Sequence, residues 1–67
     1  MTYSNRGFAY YNQEEYEKAI VDYSKSIELD PTDAGVYSLR GLAYELLGDE
    51  KKAAADSAKA KELGFEP

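Results

Sequence analysis

The sequence is written twice. Shifted by 34 residues it falls on itself: Tyr3 lands on Tyr37, Arg6 on Arg40, Gly7 on Gly41, Ala9 on Ala43 and Tyr10 on Tyr44. Further along, Lys18 meets Lys52, Ala19 meets Ala53, Asp22 meets Asp56, Lys25 meets Lys59, and Glu28-Leu29 meets Glu62-Leu63. A fixed period of this length builds stacks of like units, since one unit cannot bury its own apolar face and covers it with a neighbour. The expectation is one domain over 1–67, with a first unit at about 1–33 and a second at about 34–67.

Within each unit the apolar spacing is helical. A first helix is predicted over about Thr2–Asn12, with Tyr3, Gly7 and Tyr10 on one face and Arg6 at its border. Glycine inside a helix costs roughly 1 kcal/mol relative to alanine, so Gly7 and Gly41 imply close approach of a second helix. Ala19 and Ala53 are the matching small surface. Asn12-Gln13-Glu14 breaks the pattern as a turn, and a second helix follows over about Glu15–Leu29. Tyr16, Ala19, Ile20, Tyr23 and Ile27 follow the i, i+3, i+4, i+7, i+11 rule of a buried stripe. Glu17, Lys18, Asp22, Lys25 and Glu28 fall on the side expected to face water, with a Glu14–Lys18 pair one turn apart.

Asp30-Pro31 ends that helix, because the residue before proline avoids the helical region. Thr32 is the predicted N-cap of a third helix, running to about Leu47 and repeating the first face with Tyr37, Gly41 and Tyr44. Gly48 reads as its C-terminal glycine and Asp49 as the cap of a fourth helix over about Glu50–Leu63, ending at Gly64. Phe65-Glu66-Pro67 reads as a short tail.

Units of this length with an aromatic, Gly, Tyr, Ala, aromatic and Pro at set places resemble the tetratricopeptide repeat. In the first unit those residues are Tyr3, Gly7, Tyr10, Ala19, Tyr23 and Pro31; in the second, Tyr37, Gly41, Tyr44 and Ala53. Arg6 and Arg40 replace the usual leucine, Ser57 stands where an aromatic belongs, and Phe65 where the proline belongs. The resemblance implies an all-α fold of two antiparallel helix–turn–helix repeats, stacked as a short right-handed solenoid. It also implies that the first helix of each repeat lines a concave groove for a peptide or helix. Mapped here, that groove is Ser4, Asn5, Phe8, Tyr11 and Asn12, then Ser38, Leu39, Leu42, Glu45 and Leu46. A lysine–asparagine clamp for a terminal carboxylate belongs to one branch of the family, but the corresponding places hold Ser4, Phe8 and Leu39. The clamp is absent.

Composition narrows the chemistry. With no cysteine and no histidine there is neither a staple nor a His/Cys metal cluster, and no nucleophile–base motif or Gly-rich phosphate loop is present. Glu14, Glu15 and Glu17 cluster at a turn, where water keeps carboxylates ordinary. No catalytic residue, cofactor site, metal site or small-molecule substrate is therefore expected. A net charge of -5 disfavours nucleic acid, and no apolar run approaches a membrane span or a secretory signal, so a cytoplasmic protein is the expectation.

The reading is a non-catalytic interaction module that binds an apolar or amphipathic segment, with Leu39, Leu42 and Leu46 as an open stripe. Its alternatives are a self-associating scaffold whose groove is its own interface, and a fragment of a longer array. Homo-oligomerisation is expected from helix four. Relative to helix two, Tyr16 becomes Glu50, Ile20 becomes Ala54, Tyr23 becomes Ser57 and Ile27 becomes Lys61, so a large part of the apolar packing surface is missing.

Overall fold

The computed structural model describes residues 2–65, so Glu66 and Pro67 of the expected tail lie outside the described residues. Four helices follow one another: α1 Tyr3–Asn12, α2 Tyr16–Leu29, α3 Ala34–Leu46 and α4 Glu50–Glu62. There is no strand among the described residues, and the helices form two helix–turn–helix units in an all-α solenoid. α1 packs on α2, α3 on α4, and α2 on α3, while α1 only brushes α3. The resulting body measures 28 × 27 × 19 Å.

Glycine sets the closeness of each hairpin. A Cβ placed on Gly7 would sit 2.9 Å from the Tyr23 ring and 3.3 Å from the Ala19 carbonyl oxygen. One placed on Gly41 would sit 3.2 Å from the Asp56 Cβ and 3.3 Å from the Ala53 carbonyl oxygen. The second helix of each unit therefore lies almost on the backbone of the first, as the recurring Gly and Ala predict.

Three helices close in the same way. After α1, the Glu14 N–H donates to the Tyr11 carbonyl and the Glu15 N–H to the Tyr10 carbonyl. After α3, Gly48 and Asp49 bond Glu45 and Tyr44; after α4, Gly64 and Phe65 bond Lys61 and Ala60. This 5→2, 6→1 pairing requires a left-handed residue at its centre. Gly48 and Gly64 supply it at φ 85° and 99°, and Glu14 does so at φ 61° without being glycine.

Helix starts are capped by short side chains. Thr2 accepts from the Asn5 N–H and Asp49 from the Lys52 N–H. The expected Thr32 cap is displaced by one residue. Asp33 accepts from the Gly35 and Val36 N–H groups, and Thr32 instead donates its own N–H and hydroxyl to Asp30 Oδ1. Asp30 has already turned the chain, which leaves Asp33 as the first side chain able to reach the free amides of α3. The charge pair expected between Glu14 and Lys18 also shifts, with Lys18 reaching Glu15 at 3.1 Å. Left-handed Glu14 belongs to the turn, while Glu15 is the N-cap of α2, three residues before the lysine.

The core lies at the junction of the hairpins. Ala19, Tyr23 and Val36 are its buried centre, and Tyr10, Tyr11, Ile27 and Leu39 pack around them. Two sequence expectations change here. Tyr11 and Leu39 were placed on the open face, yet both are half-buried because they fill the wedge where α2 meets α1 and α3. Tyr3 was placed in the core and is 38 % exposed, whereas its counterpart Tyr37 is buried.

Candidate functional site

Two arginines decide what the faces of α1 and α3 can bind. Arg6 donates from Nε and Nη2 to the two carboxylate oxygens of Asp22, at 2.8 and 2.9 Å. Arg40 holds Asp56 in the same two-pronged way, at 2.8 and 2.7 Å. The forked guanidinium matches a carboxylate edge, which gives these bonds their directionality. Each arginine also lies beside a tyrosine ring, Arg6 5.7 Å from Tyr3 and Arg40 5.7 Å from Tyr37.

Both aspartates are buried. Asp22 was assigned to the water-facing side, and the structure reverses that. Its hydrogen bond to Arg6, opposed by desolvation and aided by the arginine charge, holds its carboxyl below the usual carboxylate range. The arginines in turn are held above their ordinary values, first by the hydrogen bonds to Asp22 and Asp56. The signal was present in the sequence, since Arg6/Arg40 and Asp22/Asp56 both recur in the same register.

The consequence for the open face is chemical. Arg6 and Arg40 are the sole basic residues of α1 and α3, and each is committed to its own hairpin. No cation on these two helices is left over for a ligand carboxylate.

What remains exposed is apolar and neutral. Phe8 is 47 % exposed, Leu42 44 % and Leu46 54 %. Phe8 and Leu42 are equivalent positions of the two units, so they form one stripe across α1 and α3. Asn5, Asn12 and Glu45 are exposed around it, and Ser4 and Ser38 are half-buried beside it. Phe8 stacks on Tyr11 at 6.3 Å, and Tyr11 meets Tyr16 edge-on at 5.5 Å, so the aromatic surface continues from the open face into the junction. Leu39 is withdrawn from the predicted three-leucine stripe by its packing on the core.

The two end faces are unlike the junction between them. Val36 and Leu39 pack against Tyr23 and Ile27 at that junction. The residues equivalent to Val36 and Leu39 at the free end of α1 are Thr2 and Asn5, and those equivalent to Tyr23 and Ile27 on α4 are Ser57 and Lys61; all four are exposed. At these four positions the ends are polar where the junction is apolar, while Tyr3, the counterpart of buried Tyr37, stays exposed at the α1 end. Among the described residues there is no group of three or more potential metal-binding side chains, and no helix is long and apolar enough to cross a membrane.

Comparison with known proteins agrees with this architecture. The sequence profile described as TPR repeat matches residues 7–48, and that described as Tetratricopeptide repeat matches residues 34–63. The human mitochondrial import receptor subunit TOM70 is 39 % identical over 64 residues, covering 88 % of this chain and 10 % of the relative. The Hsp70-Hsp90 organizing protein of Triticum aestivum is 36 % identical over 58 residues, covering 87 % of this chain and 10 % of the relative. Human serine/threonine-protein phosphatase 5 is 41 % identical over 54 residues, covering 81 % of this chain and 11 % of the relative. The chain thus spans about a tenth of the length of these relatives. A profile over most of the chain, a 34-residue register and paired helices closed on Gly7 and Gly41 together place this chain in the tetratricopeptide repeat family, whose repeats are protein–protein interaction modules.

Proposed function

We propose that this chain is a non-catalytic module that binds an apolar or amphipathic segment of another protein along the joint face of α1 and α3. The observation that carries this reading is the exposure of Phe8, Leu42 and Leu46 on α1 and α3. Large apolar side chains left open in a contiguous patch favour an interaction surface. Phe8, Leu42 and Leu46 act as anchors. Ser4, Asn5, Asn12 and Ser38 offer hydrogen bonds that fix register, and Tyr11 and Leu39 support the floor from below. A terminal carboxylate contributes little, since Arg6 and Arg40 are engaged by Asp22 and Asp56.

One peptide with a leucine-rich face, offered with a free and with an amidated C-terminus, tests this by fluorescence anisotropy. Equal affinity is expected for the two forms, and Leu42→Asp should abolish binding while the helical circular dichroism is kept. A large loss on amidation, or unchanged binding by the Leu42→Asp chain, overturns the reading. A second reading makes the same face an interface between copies, since the exposed Phe8, Leu42 and Leu46 would serve that role equally. The mass in solution over a wide concentration range separates the two.

A further inference from the structure

The C-terminal ends of α1 and α3 carry acidic side chains and no basic one of their own. α1 and α3 run parallel, because α2 packs on both and is joined to each by a short turn that reverses the chain. Their C-terminal ends therefore lie at the same end of the molecule.

A helix C-terminus carries the negative end of its dipole and is normally balanced by lysine or arginine in the last turn. α4 follows that habit with Lys59 and Lys61. The last turns of α1 and α3 hold no basic residue. α3 instead places Glu45 there, exposed beside Leu42 and Leu46, and the turn after α1 adds exposed Glu14. The lysines nearby are engaged, Lys18 with Glu15 and Lys52 with Asp49, whereas Glu14 and Glu45 have no ion-pair partner among the described residues. The whole chain carries -5.

Resting on the groove reading above, we infer that the occupant is an amphipathic helix whose apolar stripe covers Phe8, Leu42 and Leu46 and whose lysine- or arginine-rich end lies over the C-terminal ends of α1 and α3. Charge complementarity selects it. A cationic end meets two helix termini and two free carboxylates, while an acidic end would add like charge with no cation on either helix to offset it. Such pairing sets orientation and partner choice more than raw affinity.

The test uses the full 67-residue chain and three synthetic helical peptides. They share one leucine/alanine core and end in three lysines, three glutamines or three glutamates. Two rim ion pairs and two helix C-termini at the usual surface strength predict that the lysine peptide binds about tenfold more tightly than the glutamine peptide in low salt. The glutamate peptide should bind more weakly still, and the differences should shrink toward none at high salt. A nitroxide on the lysine end should broaden the amides of Glu14 and Glu45 and spare those of Tyr3 and Asp33. Glu14→Lys with Glu45→Lys should reverse the order of the lysine and glutamate peptides, a result that loss of folding cannot imitate. Equal binding of all three peptides, no reversal in the double variant, or broadening at the Tyr3 end overturns the inference and leaves the groove standing. Binding of none of the three overturns both.

Discussion

Two residues sit in states that their neighbours do not relieve. Glu14 takes the left-handed conformation that Gly48 takes at the equivalent turn. A side chain in that region costs roughly 1–2 kcal/mol, part of which glycine returns as extra unfolded-state entropy. Glu14→Gly should therefore stabilise the fold by about 0.5–1 kcal/mol, read as a higher midpoint in urea; a lower midpoint would show that Glu14 is held by something other than the turn. Tyr23 is the second case. Its ring is fully buried against Gly7 and Val36, but its hydroxyl has no hydrogen-bond partner. Burial, with a smaller effect from Tyr11, pushes the hydroxyl up to about 12. Removing an unsatisfied buried hydroxyl recovers its desolvation cost, so Tyr23→Phe should gain about 1 kcal/mol at neutral pH. The pH dependence has a fixed sign. A group whose folded value is raised supports the fold below its unfolded value near 10, and that support is lost as pH climbs toward 12. The gap in melting temperature between Tyr23→Phe and the parent should thus widen between those limits, and a constant gap would place the hydroxyl in contact with water.

At the scale of helices, the Arg–Asp clips are the polar part of each hairpin. They are not equal. The Arg40 side chain is 20 % exposed against 52 % for Arg6, because α2 covers the second clip and Ser24 accepts a third bond from Arg40 Nη1 at 3.1 Å. Arg40→Ala leaves Asp56 buried without a counter-charge, and a cost of about 3 kcal/mol is expected in a denaturant titration. Arg6→Ala should cost less, and Arg40→Leu with Asp56→Leu should recover most of the loss. If the two single alanine variants melt alike, the cover of α2 contributes nothing to the clip. The same pair shows how far the sequence could be read. Helix positions were legible to within a residue at each end, because the apolar period and the 34-residue register point the same way. Asp22 was misplaced because a lone carboxylate reads as wet until its arginine is brought beside it, and that arginine lies on another helix. Tyr11 and Leu39 were misplaced for a related reason: a helical wheel assigns one inner face, whereas α1 and α3 have different neighbours on two flanks. Phe8, Leu42 and Leu46 were legible because they fall outside both flanks. Thr32 lost the cap to Asp33 through the turn geometry set by Asp30, which no spacing rule contains.

At the scale of the molecule, Thr2, Asn5, Ser57 and Lys61 put polar side chains at the ends where the junction carries apolar ones. Ser57, Ala58 and Lys61 stand where α2 carries Tyr23, Ser24 and Ile27. Restoring them together, as Ser57→Tyr, Ala58→Ser and Lys61→Ile, would remake on α4 the face that α2 shows to α3. A contact between unlike ends does not close on itself, so concentration-dependent head-to-tail assembly is expected in light scattering from the triple variant and not from the parent. A parent that assembles as readily would show that Thr2 and Asn5 do not act as a polar stop. The junction between the hairpins has a different consequence. Within each hairpin a two-pronged charged clip spans the helices, but between hairpins the one side-chain hydrogen bond among the described residues is Arg40 to Ser24. The rest is apolar contact around Tyr23, Ile27, Val36 and Leu39, which resists separation far more than it resists sliding. The molecule is thus two stiff bars on one compliant joint. Rotation of one bar against the other would change the gap between Phe8 and Leu42 while leaving each helix pair and its clip intact. For the proposed groove this makes width, set by the angle between the two hairpins, the dimension that the apolar joint leaves adjustable.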